Sequence, residues 1–62
     1  MPKVTKLKEY RDRKVWTQEE LAAKAKVAKS TIVQLERGQA EGRPATIRKL
    51  AKALGVEPEA LV

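Results

Sequence analysis

The sequence predicts an all-α fold, five short helices packed around one core. Three observations carry this. Apolar residues recur at spacings of three and four, with no strand-like alternation anywhere along the 62 residues. Thr17 and Glu20 make the S/T-x-x-E pattern that opens a helix. Pro44, Gly38 and Gly55 punctuate the chain where helices begin and end. A chain this short has apolar surface for only one core, so residues 1–62 are expected to form a single domain.

The first helix is expected over residues 5–14, with Val4, Leu7, Tyr10 and Arg11 on one face. The second starts at the capping box, in which the Thr17 and Glu20 side chains each satisfy the other residue's backbone N–H. Trp16 and Leu21 flank that box as a hydrophobic staple. This helix turns Leu21, Ala22 and Ala25 inward and stops near Ala25. A third covers residues 28–37, burying Ile32 and Leu35, and Gly38 supplies the left-handed residue that ends it. Gly42, Arg43 and Pro44 reset the chain. Pro44 is pre-set for the first turn of a fourth helix that buries Ile47, Leu50, Ala51 and Leu54 and closes at Gly55. Residues 57–61 read as a last short helical turn.

Charge narrows the partner. Fourteen Lys and Arg stand against eight Asp and Glu, a net +6. Residues 1–16 hold six of the basic residues against Glu9 and Asp12, and Arg43, Arg48, Lys49 and Lys52 form a second basic stretch. So strong a field on so little surface favours a polyanion, with nucleic acid ahead of an anionic membrane surface. The chain has no cysteine or histidine, which removes disulfides and the usual metal ligands. Ser30 has no base in sequence reach and no glycine-rich phosphate loop exists, so neither an enzyme nor a cofactor is expected. With no bilayer-length apolar run and no signal-peptide core in residues 1–7, the expected location is the cytoplasm.

Between Thr17 and Gly38 the segment TQEELAAKAKVAKSTIVQLERG closely resembles the helix-turn-helix of the phage-repressor-like (Xre/Cro) family. LKEYRDRK resembles that family's first helix, and RPATIRKLAKALGV its fourth helix together with the turn that ends it, so the likeness covers nearly the whole chain. It implies a compact lambda-repressor-like fold in which two helices cross steeply over a short turn. The residue at the crossing must be small, and Ala22 is. Leu21, Ala25, Val27, Ile32 and Leu35 then seal the wedge, which leaves Lys29, Ser30, Val33, Gln34 and Arg37 on the far side of the third helix.

The family pattern is broken at three places. Glycine usually ends the first helix and recurs inside the motif's turn, where this chain has Val15 and Lys26. Lys26 tolerates positive φ, whereas β-branched Val15 would be strained. The expectation is therefore that the first connection is rebuilt around Val15 and Trp16. Ala28 replaces the usual Ser or Thr at the start of the recognition helix. It cannot cap, leaving an N–H for a phosphate oxygen or water.

The resemblance implies a transcriptional regulator of repressor type that lays residues 28–37 in the major groove of double-stranded DNA. Lys29, Ser30, Val33 and Gln34 are the base-contact candidates. Lysine donates to guanine, glutamine pairs with adenine, serine suits several partners and valine meets a thymine methyl. Lys29 reads equally as a phosphate ligand, and Val33 as filler at the groove edge. Gln18, Lys26, Ala28, Arg37 and Arg43 are the backbone-contact candidates. The resemblance implies that Gln18 both binds a phosphate and braces the recognition helix, against the competing reading of a solvated helix-start residue; for one of the cations the competing reading is a solvated charge. Arg11 and Glu36 are implied to be a structural ion pair joining the first and third helices. A two-fold homodimer would read half-sites about one helical turn apart, meeting through an apolar edge of Val56, Leu61 and Val62, though these residues also suit the monomer's own core.

Two rivals remain at this level. Some members of the family are antitoxins or coactivator domains whose main contact is protein, which would call for an exposed apolar patch. Nonspecific nucleic-acid binding, RNA included, would show no operator preference. No small-molecule effector domain is legible in the chain.

Overall fold

The computed structural model describes residues 3–62, which form four α-helices and a terminal turn. The helices are α1 (Leu7–Arg13), α2 (Gln18–Ala25), α3 (Lys29–Glu36) and α4 (Pro44–Leu54). The expected last helical turn is a single 3₁₀ turn, Pro58–Leu61, opened by Pro58 at its first position and closed on the buried Leu61. Helix α1 also starts later than its apolar spacing suggests. Lys6, at its N-cap, has no acceptor with which to hold an earlier turn, and its own N–H instead donates to the Leu61 carbonyl at 3.1 Å. The start of α1 is thereby tied to the C-terminal turn.

All four helices end in the same way. The last turn is followed by a residue in the left-handed region, and the next N–H reaches the carbonyl five residues back. Trp16 donates to Arg11 at 3.3 Å, Val27 to Ala22 at 3.0 Å, Gln39 to Gln34 at 2.9 Å and Val56 to Ala51 at 3.0 Å. The left-handed residues are Val15 (φ 57°), Lys26 (φ 59°), Gly38 (φ 72°) and Gly55 (φ 73°). The expectation of a rebuilt first connection is thus corrected: the backbone keeps its glycine-like turn and places a strained valine in it, because the two hydrogen bonds from Val15 and Trp16 need that geometry.

The core is Val4, Leu7, Leu21, Ala22, Ala25, Ile32, Leu35, Ile47, Leu50, Ala51, Leu54 and Leu61, drawn from every element. Helix α2 lies centrally, packed against both α3 and α4, and α4 also holds the 3₁₀ turn. Fully burying one such leucine contributes about 1.5–3 kcal/mol. Leu61 is 0 % exposed. It is a core residue, which corrects its assignment to an apolar edge open to a second copy: the 3₁₀ turn rotates it onto α4 and leaves only Val56, half-buried, and Val62 toward the surface.

Gly42 has a role its turn position did not reveal. A Cβ there would lie 2.7 Å from Val4 Cγ2 and 2.8 Å from Ile47 Cγ1. The α3–α4 connection therefore passes directly over the core, and only glycine leaves it room.

Candidate nucleic-acid interface

The helix-turn-helix is set by the α2–α3 junction. The capping box is complete: Glu20 N donates to Thr17 Oγ1 at 3.1 Å and Thr17 N donates to Glu20 Oε1 at 2.9 Å. It fixes where α2 begins. Lys26 in the left-handed region then turns the chain, and Ala22, 6 % exposed, lets α3 come close. Helix α3 buries Ile32 and Leu35 against this scaffold. The side chains of Lys29, Ser30, Gln34 and Arg37 are exposed, and Val33 is half-buried at the edge of their face.

The third helix is braced from behind by a partly buried polar network. Arg11 Nε donates to Glu36 Oε2 at 2.6 Å and Arg11 Nη2 to Glu36 Oε1 at 3.1 Å, a two-pronged pair with side chains 11 % and 5 % exposed. Arg11 Nη1 also donates to the Trp16 carbonyl at 2.6 Å, which ties in the α1–α2 connection. The hydrogen bond to Glu36 raises the Arg11 pKa above the usual guanidinium value and burial opposes it, so the arginine stays charged at every working pH. Gln18 joins this network, its Nε2 donating to Glu36 Oε1 at 3.0 Å. One N–H of the amide thus braces α3, as the family likeness implies, though Glu36 as its partner was not foreseen from sequence.

The exposed candidates are arranged around this base. Lys29 Nζ donates to Glu19 Oε1 at 3.2 Å, with both groups well exposed. Such a pair contributes little and yields readily to a phosphate or base edge. Ala28 is the N-cap of α3, extended at φ −71° and ψ 145°, with no side-chain cap. Arg43 is the exposed N-cap of α4, ahead of Pro44. Gln34 and Arg43 border one shallow cleft of ≈ 390 Å³ between α3, the following loop and α4. Thr31 and Thr46 line the same cleft and were not singled out from sequence. Thr31 lies three residues before Gln34, on the same helical side, which is the spacing that would have found it. Lys26 stands apart from this group, in a separate groove with Lys24, Lys49 and Lys52.

Two helices crossing over a short turn, the second with its polar and basic side outward and its apolar side locked to the first, define a DNA-binding helix-turn-helix domain. The family model described as Helix-turn-helix matches residues 7–61. The chain therefore belongs to the phage-repressor-like (Xre/Cro type) helix-turn-helix family. No curated protein matches the chain.

Proposed function

We propose that this domain is a sequence-specific transcriptional regulator of repressor type, which binds double-stranded operator DNA with α3 in the major groove. The supporting observation is the face of α3: Lys29, Ser30, Gln34 and Arg37 all exposed on a helix whose opposite side is immobilised by the core and by Arg11, Gln18 and Glu36. Lys29, Ser30 and Gln34 read base edges, and Val33 meets a thymine methyl at the groove edge. Arg37, Arg43, Lys26, the free N–H end of α3 at Ala28, and Gln18 hold phosphates. Gln18 reaches a phosphate through its backbone N–H at the start of α2 or through the second N–H of the side-chain amide whose first N–H is held by Glu36. Two copies meet through Val56 and Val62 once on DNA, so that paired half-sites supply the specificity one short helix lacks. The protein-partner reading has less support, since the only large hydrophobics exposed among the described residues are Val15 and Val62.

Selection from a random duplex pool tests this reading. A palindromic consensus is expected. Gln34→Ala should flatten preference at one position of each half-site, by about 1–3 kcal/mol. Arg43→Ala should weaken all duplexes alike and reduce the salt slope by about one unit. Equal recovery of every sequence by the wild-type protein would sink the proposal.

A further inference from the structure

Apart from the cleft beside Gln34 and Arg43 lies a groove of ≈ 470 Å³ walled by Lys24, Lys26, Lys49 and Lys52 over a floor of Ala25 and Ala53. It lies where the end of α2 meets the second half of α4. Lys24 and Lys52 occupy the last turns of those helices, where positive charge offsets the helix dipole. Lys26, the C-cap of α2, is placed to do the same, whereas Lys49, one turn before Lys52 on the same side of α4, serves no such purpose. No carboxylate lines the groove. Among the described residues, the ion pairs engage none of these four ammonium groups. Lys24 Nζ lies instead 4.9 Å from the centre of the Trp16 ring.

Four lysines around one recess with no carboxylate among its lining give it a positive potential that an anion seated there would neutralise. Ammonium groups act as movable point charges and suit clustered phosphate oxygens. We propose that this groove binds a small anion carrying two or more phosphate groups. Its volume falls in the range of small-molecule sites, and the alanine floor accepts whatever apolar part the ligand has. A duplex would span the mouth of such a recess without filling it. Only Lys26 is common to the groove and the proposed DNA contacts; the inference rests on Lys24, Lys49 and Lys52, which the DNA reading does not use.

Calorimetric titration of the full chain with inorganic tripolyphosphate at about 0.15 M salt tests the proposal, with the fluorescence of Trp16, the sole tryptophan, followed in parallel. Saturable one-to-one binding is expected, accompanied by a change in Trp16 emission as Lys24 leaves the ring. The exposed double substitution Lys49→Gln with Lys52→Gln should weaken it about tenfold or more while preserving the circular dichroism spectrum, with the melting temperature lowered only by the few degrees that the lost helix-end charge costs. A titration that never saturates, an equal response to sulfate at matched ionic strength, or unchanged affinity in the double variant would overturn the proposal. So would a loss of duplex affinity as large as the loss for tripolyphosphate, which would assign these lysines to DNA. Failure of operator recognition with tripolyphosphate binding intact would overturn the DNA reading alone.

Discussion

Val15 holds a left-handed backbone with its side chain 86 % exposed, so the valine gains little contact in return for its strain. The hydrogen bonds from Val15 N to Asp12 O and from Trp16 N to Arg11 O need only backbone. Val15→Gly is therefore expected to stabilise the domain by about 1 kcal/mol, seen as a melting temperature about 4–8 °C higher. A lower melting temperature would show that the valine makes contacts that matter. Arg11 is the opposite case. Arg11→Met leaves the Glu36 carboxylate, 5 % exposed, with Gln18 as its remaining donor. The expected loss is about 3–5 kcal/mol, enough to unfold most of so small a domain at room temperature in a urea titration. Adding Glu36→Gln should recover part of the loss, because the uncompensated charge is gone. The pair itself followed from the family likeness, whereas Gln18's attachment to it came from the folded geometry.

At the scale of elements, α2 and α3 differ in how they begin. Helix α2 carries its own start signal in Thr17 and Glu20, and its bounds are legible to the residue. Helix α3 opens at Ala28, whose extended backbone is ready for a cap that its methyl group cannot supply. Ala28→Asp should add a side-chain acceptor for the first N–H groups and stabilise the helix by about 1 kcal/mol. If those N–H groups hold a phosphate, the same substitution should weaken operator binding about tenfold through like-charge repulsion. Thermal melting and a duplex titration on one protein separate the two effects. Stability and affinity rising together would remove Ala28 from the DNA contacts. Helix α1 shows the reverse difficulty, since its late start depends on the hydrogen bond from Lys6 to Leu61, a partner 55 residues away.

For the whole molecule, the C-terminal residues divide between two tasks. Leu61 belongs to the core and Val62, 39 % exposed, does not. Leu61→Ala should cost about 2–5 kcal/mol through the cavity it leaves, whether or not DNA is present. Val62→Lys should leave the monomer's melting unchanged and reduce the two-to-one complex on a palindromic duplex, measured by sedimentation. Unchanged occupancy of both half-sites would place the dimer contact elsewhere. Gly42 belongs to this scale as well: it lets the loop carrying Arg43 cross Val4 and Ile47, so core packing and the position of a proposed phosphate contact depend on the same missing side chain.

Periodicity, caps and punctuation, being local, were enough to define an all-helical chain, the central capping box, the inward set from Val4 to Leu54, and the outward row on α3. Those signals act within one or two turns of helix, and a single sequence displays them directly. Tertiary structure decided what depends on distant partners: that Leu61 is buried, that Gln18 turns to Glu36, that Gly42 lies against the core, and that Lys26 joins three lysines from α2 and α4. The left-handed turn at Val15 was decided there too, because the packing of α1 against α3 and the anchoring of Arg11 outweigh one residue's backbone preference.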